Sequence, residues 1–246
     1  MSEIVITTFA ERPEYIERAF ELEDSWPEFL LHDRVSDAHY DQVLPTFPDL
    51  CVIGTDDETP VARGFALPFA LNTPARGGLP EGGWDRVLLW GMADHARGTT
   101  PDACSALEVT IDVGYQGRGL SQRMLAAMRS AAELRGFDVM YAPVRPSAKH
   151  LEPHTAMDEY AVRVRADGLP EDPWIRVHAR LGAVIEKVAP TSMTVVGTPE
   201  EWRDWTGLPF DTTGPVEVPG ALVPVHVDAE HGHAIYVEPN VWMRHR

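Results

Sequence analysis

Cysteine is nearly absent from this chain: Cys51 and Cys104 are the two in 246 residues. Two thiols cannot build a disulfide framework, so the composition predicts a reducing, cytoplasmic setting. No apolar run reaches the ~18–20 residues that a membrane span needs. The opening segment, MSEIVITTFAERPEYIERAF, is acidic by its third residue and has no apolar signal core, which argues against export. Basic residues are the third shortage. Lys plus Arg number 21 against 38 Asp plus Glu, a formal net charge of −17. Phosphate backbones need clustered Lys and Arg, so neither nucleic acid nor a membrane surface is an expected partner. The chain also lacks internal repeats, low-complexity tracts and linkers. What is present, 44% hydrophobic and 24% charged residues, is ordinary for a globular protein and ample for a core. One α/β domain over 1–246 is therefore expected.

The pattern alternates strand-like and helix-like text. Strands are predicted over 3–8, 50–55, 60–71, 107–113, 137–144 and 183–196. The pair 50–55 and 60–71 reads as a hairpin around Asp56-Asp57-Glu58-Thr59, with Pro68 at a bulge or an edge. Helices are predicted over 12–23, 36–44 (capped by Ser36), 120–135, 157–165, 173–181 (capped by Asp172) and 200–206. Gly136 and Gly182 close two of them. The glycine-rich stretch 72–102, with a helix inside near 84–96, is long for a connector and reads equally as a functional loop or a surface excursion. A late hairpin, 216–227 with 234–237, surrounds a turn holding His231 and His233. Two histidines in a tight turn lack further ligands at metal spacing, so no metal is expected.

Chemistry concentrates at Ile111-Asp112-Val113-Gly114-Tyr115-Gln116-Gly117-Arg118-Gly119-Leu120-Ser121. A strand runs into a glycine-rich turn and a helix follows at once. The first amides of that helix lack internal partners and lie at the positive end of its dipole. Gly117 and Gly119 carry no side chains, so a phosphate can approach the backbone. Arg118 and Arg123 add local positive charge. The stretch reads as a pyrophosphate cradle. The P-loop spacing is absent, and the dinucleotide fingerprint is unmet because no third glycine follows Gly119 at its spacing.

Gln116, Gly119 and Ser121 together resemble the acetyl-CoA-binding loop of the GNAT superfamily of N-acetyltransferases. That loop carries Gln or Arg, two residues, Gly, one residue, then Gly or Ala. Ser121 in the last slot and Val113 in place of the usual proline are departures. The element order over 3–197 also resembles the family, with 198–246 as a C-terminal extension. The resemblance implies a mixed, mostly antiparallel central sheet flanked by helices. A V-shaped split is expected between the fourth and fifth strands, with extra strands after the core. It implies acetyl-CoA or another acyl-CoA as co-substrate. Ile111, Val113, Gln116, Gly117, Arg118, Gly119, Leu120, Ser121 and Ser147 would contact it.

A second segment, His178-Ala179-Arg180-Leu181-Gly182-Ala183, resembles the family's Tyr-x-x-x-Gly-Phe. There the tyrosine protonates the departing thiolate, which makes His178 the expected acid. The same segment is similar to the His-x-x-x-Gly-Ala of malonyl-CoA decarboxylases and acyl-loading relatives, whose histidine works with a Ser or Thr on the preceding strand. Here Ser147 is the nearest hydroxyl in sequence. The resemblance places the donor that polarises the thioester carbonyl around Thr110 and Ile111. Glu108 is the candidate base, because alternation puts Glu108, Thr110 and Asp112 on one side and Leu107, Val109, Ile111 and Val113 on the other. Trp26, Trp84 and Trp90 are expected to border the acceptor. The segment 146–171, with His150, His154, Glu159 and Tyr160, either walls the acceptor pocket or is structural. Three readings follow. The first is acetyl transfer to a small-molecule amine by direct attack, the net charge favouring cationic amines. The others are a decarboxylating or carrier-loading enzyme and a non-catalytic CoA-binding module. A homodimer is an open alternative to a monomer.

Overall fold

The computed structural model describes residues 3–22 and 26–246. Among the described residues, nine strands form one sheet: β1 Val5–Thr8, β2 Val52–Asp56, β3 Thr59–Phe69, β4 Ala103–Ile111, β5 Met140–Val144, β6 Val184–Gly197, β7 Gly214–Val216, β8 Val225–Asp228 and β9 His233–His245. It is accompanied by the α-helices α1 Arg34–His39, α2 Val43–Thr46, α3 Gly83–Arg97, α4 Leu120–Leu134, α5 Met157–Ala161, α6 Pro173–Arg180 and α7 Pro199–Thr206. The strand order is β1-β2-β3-β4-β5-β9-β8-β7, and β6 also pairs with β9. Every pairing between these strands is antiparallel except β4 with β5. This is the mixed, mostly antiparallel sheet that the family resemblance implies. No helix among the described residues is long and apolar enough to cross a membrane.

The β2–β3 hairpin turns at Asp57 and Glu58, whose φ values of 45° and 66° give the two left-handed positions of a tight two-residue turn. Pro68 sits on β3 beyond its last β2 partner, where a missing N–H breaks no pairing on that side. The β4–loop–α4–β5 unit forms as expected, and α4 spans 120–134. Its buried residues Leu120, Met124, Leu125, Met128, Ala131 and Ala132 recur at helical spacing against the sheet.

Four elements differ from expectation. Residues 12–21 form a chain of short i→i+3 turns instead of a regular helix, with bonds such as Ile16 N–H to the Pro13 carbonyl and Ala19 N–H to Ile16. The expected last residue of that helix, Glu23, lies outside the described residues. The helix predicted at 36–44 begins earlier, because Asp33 rather than Ser36 is the cap. The Asp33 carboxylate accepts from the Val35 and Ser36 amides. The stretch 72–102 is anchored at its centre by the 15-residue α3, which buries Trp84, Val87 and Leu88, so that part is packed on the core and is not a free loop. Finally, β9 is 13 residues long and pairs with β5, β6 and β8 at once. The segment after 197, expected as an extension, thus supplies a strand from the middle of the sheet. A second apolar cluster around Trp202, Phe29, Phe210 and Tyr236 packs this late hairpin.

Candidate active site

The sheet opens between β4 and β5. They pair only at Cys104 with Met140 and Ser105 with Tyr141. Beyond these positions β4 stays bound to β3, while β5 stays bound to β9 as far as Val144 with Val241. Held from outside by different neighbours, the two strands part. A register shift in β3–β4 leaves Leu107 as an extra residue between the Ala66–Ala106 and Phe65–Glu108 pairs. Such a bulge bends and twists its strand. The Leu107 carbonyl is fixed by the Trp84 indole N–H at 3.0 Å.

An inner cavity of about 200 Å³ fills this split. Ala106, Leu107, Glu108 and Val109 line it from β4, and Ala142, Pro143 and Val144 from β5. Trp26, Tyr40, Trp84 and Trp174 supply aromatic walls. Four consecutive β4 residues line the cavity because an unpaired strand edge shows its backbone and both faces. The two-sided alternation expected for 107–113 therefore does not sort site from core here.

An outer groove of about 740 Å³ adjoins it, sharing Trp26, Val109, Arg145 and Trp174. The Asp112 carboxylate accepts the Gly114 amide at 2.9 Å and shapes a 3-10 turn over 113–115. The chain then passes through Gly117 and Gly119, with φ of 73° and 74°, into α4. At both glycines a Cβ would meet no atom within 4 Å, so the backbone faces open space. No side chain caps the first amides of α4. Ile111, Gln116, Gly117, Gly119, Leu120 and Ser121 border the groove. Arg145 stands where the two spaces meet. Its Nε donates to both Glu238 carboxylate oxygens at 3.1 and 2.9 Å, and Nη2 to the Gly220 carbonyl at 2.6 Å. Pre-organised amides, open space and a fixed arginine are what an extended, anionic ligand needs.

His178 closes the inner end. Asp172 caps α6 through the Trp174 and Ile175 amides, and the same carboxylate accepts from the Ser147 and Ala148 amides and the Tyr160 hydroxyl. One buried carboxylate thus ties α6 to the 146–171 segment. Replacing Asp172 with alanine is expected to cost about 2–4 kcal/mol, because it removes a cap and strands several buried donors. Chemical denaturation of the variant measures this. The His178 ring is 2% exposed, with Nδ1 2.8 Å from His245 Nε2 and with Nε2 buried and unpartnered. Burial, then the neighbouring His245, hold its pKa well below the usual imidazole value, so the ring is neutral at pH 7.

Glu108 is held on three sides. Arg63 Nε donates to Oε1 at 2.6 Å, Thr110 Oγ1 to Oε1 at 2.5 Å, and the Tyr40 hydroxyl to Oε2. Burial, then the Glu108 charge, push the Tyr40 phenol well above its usual range. Tyr40 therefore stays a donor. A carboxylate has about four acceptor sites, so one remains for the cavity.

No family model matches the chain. A curated relative, the arginine N-acetyltransferase avaD of Aspergillus versicolor, is 32% identical over 274 residues, covering 98% of this chain and 93% of that protein. The chain belongs to the GNAT superfamily of N-acetyltransferases. Among solved structures, it is similar to the loading GNATL domain of CurA from Lyngbya majuscula, at 17% identity and a TM-score of 0.61. It is also similar to the GphF GNAT-like decarboxylase in complex with isobutyryl-CoA, at 17% identity and a TM-score of 0.57. Each comparison covers 99% of this chain and 98% of the other, and each establishes a shared fold. As a GNAT acetyltransferase, this protein takes its acetyl group from a CoA thioester and transfers it to an amine.

Within that GNAT frame, the residues singled out from sequence divide. Glu108, His178, Trp26 and Trp84 meet at the inner cavity, and Ile111, Gln116, Gly117, Gly119, Leu120, Ser121 and Ser147 at the groove. Three do not. Trp90 packs on Phe69 and under the Arg76 guanidinium, 4.3 Å from its ring centroid, away from both spaces. Val113 is half-exposed on the 3-10 turn and lines neither. Arg118 lies over the Tyr115 ring and donates to the Gly114 carbonyl at 2.8 Å, bracing the loop from outside the groove. Arg123 likewise holds the Ile4 carbonyl at 2.6 Å. In the 146–171 segment, His150 borders the groove, whereas His154 pairs with Glu217, Glu159 with Arg163 and Tyr160 with Asp172. Sequence reasoning missed Tyr40, Arg63, Arg145, Trp174 and His245. Each reaches the site from another element, so no local spacing marks it.

Both cysteines are buried away from these spaces. Burial pushes the Cys51 thiol up to about 12 and Cys104 higher still, so neither offers a thiolate nucleophile.

Proposed function

We infer that this enzyme acetylates arginine or a closely similar cationic amine, by direct attack on acetyl-CoA. The observation that carries the acceptor is the 32% identity, over nearly the full length, to an arginine N-acetyltransferase. The inner cavity agrees with it: a guanidinium stacks on aromatic faces and pairs with carboxylates, and Trp26, Tyr40, Trp84 and Glu108 offer both. The coenzyme's pyrophosphate would sit on the amides after Gln116, and its pantetheine arm along the unpaired edges of β4 and β5, whose free amides and carbonyls need partners. The thioester would then lie in the split beside His178.

In this reading Glu108 takes a proton from the attacking amine, directly or through one water. The tetrahedral adduct collapses, the C–S bond breaks, and the thiolate takes the proton from His178 Nε2. The decarboxylase-like arrangement finds less support. Among the described residues, the hydroxyls lining the inner cavity belong to Ser36 and Tyr40, while Ser147 faces the outer groove. The test is thiol release from acetyl-CoA with L-arginine, with the product identified by mass spectrometry. Arginine-dependent release of free CoA with formation of acetylarginine is expected. Release of carbon dioxide from malonyl-CoA, with no transfer to arginine or related amines, would overturn the reading.

A further inference from the structure

His178 has a partner that the reaction just described does not use. His245 is the last residue of β9, placed beside Met140 of β5, and its Nε2 faces His178 Nδ1 at 2.8 Å. It also lines a separate cavity of about 260 Å³ between α4 and the turn after α6, together with Arg129, Ser130, Glu133 and Leu181. Arg129 and Glu133 pair there at 2.9 Å and are both partly exposed, so this cavity meets solvent. The two rings thus stand in series, one in the acyl-transfer split and one in a solvent-facing cavity on the α4 side.

We propose that His178 and His245 form a two-ring proton relay, with His245 supplying from the α4-side cavity the proton that His178 gives to the departing CoA thiolate. The proposal rests on the reading of His178 as the acid. Two neutral imidazoles facing nitrogen to nitrogen share a single proton between them. Their tautomers are therefore coupled. When His245 Nε2 donates, His178 Nδ1 accepts and His178 Nε2 carries hydrogen, which is the acid form. The environment keeps both rings neutral. Burial and His245 lower His178, while burial and then Arg129 bring His245 down to about 4. Neither ring stores charge near neutral pH, so a proton leaving one end must be replaced at the other.

The step balances as follows. The His178 Nε2–H bond breaks and its proton joins the thiolate lone pair as S–H. The His245 Nε2 proton moves to His178 Nδ1, and a solvent proton in the α4-side cavity binds His245 Nδ1. Both rings end neutral, in their opposite tautomers. They reset after product leaves, when His178 Nε2 takes a proton from water in the open split, the shared proton moves back from His178 Nδ1 to His245 Nε2, and His245 Nδ1 returns one to solvent. A buried, unpartnered Nε2 has no other reloading route while coenzyme and acceptor fill the split.

The test compares wild type, His178→Ala, His245→Gln and His245→Phe in single-turnover reactions with acetyl-CoA and L-arginine. Both His245 variants are expected to react roughly 10–100-fold more slowly, with the Kd for acetyl-CoA unchanged. The wild-type rate in mixed light and heavy water should curve with deuterium fraction, as more than one proton in flight requires, and His245→Gln should give a straight line. A His245→Gln enzyme with the wild-type rate and curvature overturns the relay while leaving His178 as the acid. A His178→Ala enzyme at the wild-type rate overturns the acid reading itself. Should the His245 variants not fold, nitrogen-15 NMR of wild-type histidines at neutral pH decides the matter. Two neutral rings sharing one proton support the relay; a charged ring at either position contradicts it.

Discussion

Replacing His178 with alanine is expected to lower kcat by about 100–1,000-fold while KM for acetyl-CoA stays within about threefold of wild type. The split in these effects follows from where the ring sits. His178 lines the inner cavity and is not among the residues bordering the groove, so its loss removes a proton donor without loosening the coenzyme's hold. A thiolate resembles a free cysteine thiolate, with a pKa of about 8.5, and leaves poorly unless it is protonated as the C–S bond breaks. The missing ring leaves an imidazole-sized gap beside the split. Added imidazole is expected to restore part of kcat in the alanine variant and to leave the wild type unchanged. Steady-state thiol release with and without imidazole measures both effects. A variant with wild-type kcat removes His178 from the chemistry.

Gly119→Val gives the second large effect. At φ of 74° a β-branched residue is strained, costing about 1–2 kcal/mol. A Cβ there meets no protein atom within 4 Å, and the residue borders the open groove. The larger loss therefore falls on the ligand. The Kd for acetyl-CoA should rise by about 100-fold or more, equivalent to about 2.7 kcal/mol. Gly136→Val is the matched control. Its φ of 93° imposes comparable strain at the far end of α4, also with open space at Cβ. Calorimetric titration should find the Gly136 variant less stable but binding acetyl-CoA as tightly as wild type. Equal loss of affinity in both would mean that strain, not groove occupancy, is responsible.

The contrast between these positions marks how far the sequence could be read. The loop from Asp112 to Ser121 was legible because its chemistry is local. A strand, two left-handed glycines and a helix start are adjacent in the chain, and backbone geometry follows from them. His178 is singled out in the sequence through its spacing to Gly182, and it lines the inner cavity. Trp90 was misplaced because a tryptophan on a helix says nothing about which face turns inward, and α3 points that ring toward Phe69 and Arg76. Arg118 was misread for a related reason. Its charge is beside the cradle in sequence, yet its guanidinium folds back onto Tyr115 and Gly114. His245 gave no signal at all. It meets His178 only because β9 inserts between β5 and β6, and that pairing joins residues far apart in the chain. Glu108 is singled out in the sequence by its place on β4, and it lines the inner cavity. Its three donors come partly from elsewhere, Tyr40 from beside α1 and Arg63 from β3, so its fixed state could not be foreseen.

Amide hydrogen exchange, followed by mass spectrometry with and without acetyl-CoA, asks most directly whether the open backbone after Gln116 receives the coenzyme. The expected result is strong slowing in peptides covering 116–122 and the facing edges of β4 and β5, with α7 and the β7–β8 region unchanged. Exchange over 116–122 that is identical with and without saturating acetyl-CoA would contradict the account.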